Sequence, residues 1–131
     1  VVSINNQQAF DNALFGIRNQ GYKQSLTSVK TSCASCAYRG EDGLKCGVGH
    51  SIPDELYKVE MEGKHFSNLL SEHPEFQTFF ENANWQLLSK IQWAHDNYLN
   101  FGYGPGDFEE EMKEIANEFN LNYTKPFKEI S

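Results

Sequence analysis

Three cysteines and a histidine stand close together in the first half of the chain, in the spacing Cys33-x2-Cys36-x9-Cys46-x3-His50. Zinc takes four soft or borderline ligands in a tetrahedron and favours thiolate and imidazole. A pair from each side of a loop could hold zinc and tie down a segment with little apolar content of its own. An odd number of cysteines fits a disulfide framework poorly, and their clustering points to metal or reactive thiols first. Two other readings of the same residues stay open. Cys36 and Cys46 could be small buried hydrophobes facing each other. One of them could instead be a reactive thiol whose pKa is lowered by Arg39 or Lys45.

Further candidates surround this cluster. Tyr38, Arg39 and Lys45 could bind an anionic ligand by stacking and charge-assisted hydrogen bonds, against the alternative of a solvated surface. Glu62 could pair with Arg39 or Lys45 in the interior, which is the favoured reading, or face a ligand as a carboxylate. His95 falls on the apolar stripe of a helix beside Asp96, where a histidine is more often a core residue. It could otherwise be the fourth zinc ligand, or a base for a cysteine nucleophile. His65 and His73 read as surface residues. The segment Gly102-Tyr103-Gly104-Pro105-Gly106 lacks the lysine of a phosphate loop and precedes an acidic helix start.

These residues must be positioned by helices. Ala9, Phe10, Ala13, Leu14 and Ile17 recur at helical spacing within residues 5–20, and Gly21 follows as a stop. Residues 22–34 are polar and read as a surface loop, with a short strand as the alternative. Two short arms flank Gly40-Glu41-Asp42-Gly43, a hairpin signal between Cys36 and Cys46. Residues 66–71 and 74–82 read as short helices, the second opened by Pro74. Residues 84–99 carry the strongest helical pattern, through Leu87, Leu88, Ile91, Ala94 and Tyr98, with Asn84 able to cap it. Asp107 is expected to cap a last helix bearing Phe108, Met112, Ile115 and Phe119. The run Glu109-Glu110-Glu111 reads as favourable charge at the positive end of that helix. The expected class is α+β: a single domain over residues 1–131, about five helices, and one small β-hairpin carrying the Cys/His cluster.

The 131 residues fit one domain of ordinary size, and 14% aromatic content supplies ample material for a core. A net charge of -7 repels phosphate backbones, which argues against broad nucleic-acid binding. No apolar run approaches the roughly 20 residues needed to span a bilayer. Val1-Val2-Ser3-Ile4-Asn5-Asn6 shows no secretory pattern. A cytoplasmic protein without membrane contact is expected.

The block from Cys36 to Asp54 closely resembles one found in a family of small bacteriophage and prophage proteins, with the pattern Cys-x-Tyr-Arg-Gly-x-x-Gly-Leu-Lys-Cys. Similar features continue at Tyr57, at Met61-Glu62-Gly63 and at Ile91-Gln92-Trp93-Ala94-His95-Asp96, and precede the block at Gln7-Gln8-Ala9-Phe10-Asp11. The similarity runs to about residue 96. The family commonly has cysteine where this chain has His50, an exchange zinc would tolerate, and often lacks a counterpart of Cys33. The resemblance implies a phage accessory protein acting in the host cell. Such a protein binds a host component, and could antagonise host defence by sequestering a nucleotide-type signal or a defence protein. The alternatives are an enzyme using a cysteine thiolate or a metal-bound water, and a zinc-stabilised structural adaptor. The reading leans away from an enzyme.

Overall fold

A computed structural model describes residues 3–23, 38–40, 43–62, 64, 66–98 and 104–125. Five α-helices make up its frame: α1 (Asn6–Asn19), α2 (Phe66–Glu72), α3 (Pro74–Phe79), α4 (Trp85–Tyr98) and α5 (Pro105–Glu118). Two short 3₁₀ turns, Gly49–Ser51 and Val59–Met61, lie between α1 and α2. No helix among the described residues is long and apolar enough to cross a membrane.

The helix ends follow from local chemistry. Asn5 Oδ1 accepts the Gln8 N–H at 2.8 Å, while Gln8 Oε1 accepts the Asn5 N–H at 2.9 Å. This reciprocal pair satisfies two backbone donors that α1 would otherwise leave open. At the other end Gly21 takes φ +73, and the Tyr22 N–H reaches back to the Ile17 carbonyl at 2.9 Å. That left-handed stop is the expected work of Gly21. Asn84 Oδ1 accepts the Gln86 N–H at 2.7 Å and so caps α4. Helix α5 begins earlier than its sequence suggests. Gly104 is the N-cap, Pro105 opens the first turn, and Asp107 sits inside the helix, its carboxylate accepting the Gly104 N–H at 2.9 Å. Proline suits the first turn because its missing N–H would have had no partner there.

The α+β expectation is overturned. Among the described residues there is no strand, and the hairpin arms meet only through one isolated antiparallel bridge, Arg39 to Lys45. The Gly40 N–H donates to the Leu44 carbonyl at 2.8 Å beside it, and Gly43 turns with φ +74. The reason lies in where the neighbouring backbone groups go. Side chains take them: the Tyr38 and Arg39 N–H groups donate to Glu62, and the Lys45 N–H and C=O both bond the Gln20 amide. Backbone groups satisfied by side chains are not available to extend a ladder. The class is therefore all-α over the described residues, with a side-chain-tethered loop in place of a sheet.

Two apolar clusters form the core. One gathers Phe66, Phe76 and Phe79 of the short helices and Phe80, which ends α3, with Tyr38, Cys46, Val48, Ile52 and Met61 of the preceding segment. Phe66 meets Phe80 edge to face at 5.4 Å and 90°, an arrangement that aromatic quadrupoles favour. The other cluster joins α1, α4 and α5 through Phe10, Leu14, Ile17, Leu87, Ile91, Phe108 and Met112. Helices α1 and α4 supply both clusters, Ala9 and Leu88 facing the first. The segment around Cys46 is thereby docked on the two central helices.

Candidate functional site

The Cys46–His50 segment sits in the interior. Cys46 is fully buried, and its Sγ accepts the Gly49 N–H at 3.2 Å. Burial pushes its thiol up to about 12, reinforced by Asp96 and Glu62 and only partly offset by the Gly49 and Gln92 hydrogen bonds. That is the reverse of thiolate activation, which needs a cationic and accessible setting. Gly49 is glycine for a steric reason: a Cβ there would collide with the Tyr38 carbonyl. The next residue, His50, lays its ring on α1 at Gly16, where a Cβ would run into the imidazole. Burial, with Lys45 and His95 nearby, lowers the His50 pKa to about 4. Its buried Nε2 carries no hydrogen bond among the described residues.

Cys33 and Cys36 lie outside the described residues. Cys46, His50 and His95 do not form a group that could hold a metal ion, and among the described residues no three histidine, cysteine or acidic side chains do. The zinc set of Cys33, Cys36, Cys46 and His50 gains no geometric support from its two described members.

Tyr38, Arg39 and Glu62 are brought together, but they close on one another. Glu62 Oε1 accepts the Tyr38 N–H and Oε2 the Arg39 N–H, each at 2.9 Å, and Oε2 also accepts the Tyr57 hydroxyl at 2.6 Å. The expected internal role of Glu62 thus takes a different form, a carboxylate clasping the backbone of Arg39 instead of its guanidinium. That guanidinium turns to Asp54 Oδ1 at 2.6 Å and the Ile52 carbonyl at 3.1 Å, with its centre 4.4 Å from the Tyr57 ring centroid. Tyr38 is buried and donates its hydroxyl to the Lys64 carbonyl at 2.7 Å, so its ring is core material and no stacking platform. Burial drives the Tyr38 and Tyr57 phenols upward. Lys45 lies across the bridge from Arg39, its backbone tied to Gln20 at the end of α1.

His95 is fully buried on α4, its Nδ1 3.0 Å from Asp96 Oδ1. Gln92, one turn earlier, donates to the same carboxylate oxygen at 3.3 Å and accepts the Val48 N–H at 3.2 Å. Gln92, held by Asp96, therefore ties α4 to the segment that follows Cys46.

Two features escaped the reading of the sequence. Glu109 is buried at 6% exposure, so the acidic run is not simply a dipole-complementing patch. Arg18 grips it with two hydrogen bonds of 2.8 and 2.7 Å, and the Tyr22 and Tyr123 hydroxyls add bonds of 2.9 and 2.6 Å. The signal was present: Glu109 shares a helical stripe with Met112 and Ala116, both buried. The second feature is the outer face of α4, where Trp85 is 60% and Trp93 49% exposed. Beside Trp93 a groove of about 540 Å³ opens between α4 and α5. The positions of these tryptophans off the Leu87–Leu88–Ile91–Ala94 stripe could have marked them as surface residues. Compared with protein-family models, curated proteins and solved structures, the chain finds no match.

Proposed function

We propose that this protein is a non-enzymatic binding protein, a phage accessory factor that engages a host protein. The observation that carries the reading is the exposed pair Trp85 and Trp93, two helical turns apart on α4. Large aromatic residues left at a surface concentrate binding energy when a partner covers them. The residues with chemical potential support the same reading by their engagement inside the fold. Glu62 holds backbone amides, Arg39 is paired with Asp54, and Cys46 is a buried thiol. The phage setting rests on the resemblance of the Cys36–Asp54 block.

Affinity capture from host-cell lysate checks this. A host protein should be retained by the wild-type chain and released by the Trp85→Ser, Trp93→Ser double variant, with the melting temperature of the variant little changed. Capture that ignores both tryptophans counts against the reading. A melting shift with cyclic nucleotides or ADP-ribose derivatives, and no protein partner, replaces it with sequestration of a nucleotide signal. Rapid alkylation of Cys46 in the folded Cys33→Ser, Cys36→Ser background would revive the thiol enzyme.

A further inference from the structure

The groove between α4 and α5 differs in chemistry from the rest of the α4 surface. Trp93 and the buried Ile115 give it an apolar floor. Glu111, Glu114 and Glu118 line its α5 wall. Their spacing of three and four residues puts all three on one face of the helix, spread over roughly 10 Å of its length. Among the described residues Lys90 is the one cation lining the groove, and it reaches Glu118 at 2.6 Å. Glu111 has Glu114 and Glu118 as like-charged neighbours and Lys90 as the opposing charge. Burial raises the Glu111 carboxyl, and the negative charges of Glu114 and Glu118 raise it further against the opposing pull of Lys90. A groove that gathers carboxylates around a half-exposed indole is complementary to positive charge on an apolar stem.

We infer that this groove seats a basic amphipathic helix of the partner protein, with Lys or Arg side chains against Glu111, Glu114 and Glu118 and an apolar residue against Trp93. The inference rests on the binding-protein reading and adds to it the chemistry of the partner. A second helix laid along α5 repeats the same spacing, so cations three and four residues apart meet the three carboxylates in register. Arginine and lysine also gain from the face of the indole, the ring type that attracts cations best. The volume of about 540 Å³ is that of a pocket for a few side chains, which suits anchors projecting from a helix lying outside it. The net charge of -7 adds steering toward a basic partner.

The test uses the full chain and a fluorescein-labelled designed helical peptide with arginines at positions i, i+3 and i+7 and leucines between them. Anisotropy should report binding that weakens with salt, and Trp93→Ala should reduce affinity by about tenfold or more. The triple variant Glu111→Gln, Glu114→Gln, Glu118→Gln should lose about tenfold, since tenfold corresponds to ~1.4 kcal/mol over three screened pairs. A control triple, Glu55→Gln, Glu60→Gln, Glu81→Gln, changes the net charge equally and should retain binding. Equal losses in both triples would reduce the effect to overall charge and overturn the inference. No peptide binding, or binding indifferent to Trp93, would overturn it as well. Competition by spermine as strong as by the unlabelled peptide would replace the helix by a small polycation. Capture of a host protein that survives the groove triple but not the tryptophan double variant would sink the groove assignment alone. Failure of the wild-type chain to capture any protein in a tryptophan-dependent way would sink the binding-protein reading instead.

Discussion

Arg18 and Glu109 form a two-pronged ion pair between α1 and α5, Nε to Oε2 at 2.8 Å and Nη2 to Oε1 at 2.7 Å. Their side chains are 12% and 7% exposed. Burial by itself would raise the Glu109 carboxyl, but the bonds from Arg18, Tyr123 and Tyr22 carry it below the ordinary range. Burial and the Glu109 charge meanwhile push both phenols up to about 12. Glu109→Ala leaves a guanidinium and two phenols short of an acceptor. It should destabilise the fold by about 2–3 kcal/mol, and Glu109→Gln by less. Because the folded carboxyl is held low, its contribution is present above the unfolded pKa and fades as pH falls through the folded value. Urea titrations of both variants at neutral and acidic pH check the magnitude and the sign.

Glu62 and Asp54 both attend to Arg39, yet their removal should have very different effects. Asp54 is 84% exposed on its side chain, and its pair with Arg39 is a surface ion pair. Asp54→Ala should cost less than about 1 kcal/mol. Glu62→Ala strips the acceptor from two backbone N–H groups and the Tyr57 hydroxyl. A loss of about 2–4 kcal/mol is expected, with faster amide exchange at Tyr38 and Arg39. Similar stabilities for the two variants would mean that the carboxylate clasp is not what holds the loop.

The His50 ring should make the fold sensitive to mild acid. Its pKa falls from 6.5 to about 4, driven by burial and by Lys45 and His95. The unfolded chain therefore binds the proton more tightly than the folded one. This part of the stability is complete above about pH 6.5 and is lost as pH falls toward 4. The melting temperature of the wild type should drop through that window more steeply than that of His50→Gln. Parallel profiles would remove His50 as the cause.

Gly16 lies inside α1, where alanine would ordinarily stabilise a helix by about 1 kcal/mol. Here the added methyl would enter the space of the His50 ring. Gly16→Ala should therefore destabilise, by about 1–3 kcal/mol. Combining it with His50→Ala should restore much of the loss, because the ring that met the methyl is gone. Thermal melts of the two single variants and the double variant measure that coupling.

Much of the helical frame is legible in the residues alone. The stripe Ala9, Phe10, Ala13, Leu14 and Ile17 is the buried face of α1, and Leu87, Leu88, Ile91 and Ala94 are buried on α4. A helix bonds its own backbone within a few residues, so apolar period and local stops such as Gly21 suffice to locate it. Glu62 is expected to pair with Arg39 or Lys45 inside the fold, and it meets Arg39 through the backbone N–H. The pattern does not name the Tyr38 amide or the Tyr57 hydroxyl. Nor does it say that Glu62 holds the backbone of Arg39 and not its guanidinium, because that contact joins residues over 20 apart.

Tertiary structure decided the rest. The turn signal around Gly40 and Gly43 is real, yet a sheet needs backbone groups left free to pair. Gln20 and Glu62, remote in sequence, take those groups and leave a single bridge among the described residues. Folding also places the Cys46 thiol against Gly49 in the apolar core, a setting that its spacing from the other cysteines and His50 does not state. The acidic run of α5 divides in the same way. Glu109 turns inward to Arg18, which is 91 residues away, while Glu111 joins Glu114 and Glu118 at the groove beside Trp93. Residue type and spacing state what a side chain can do. Which partner it meets is decided by the packing of helices far apart in the chain, and no local pattern encodes that distance.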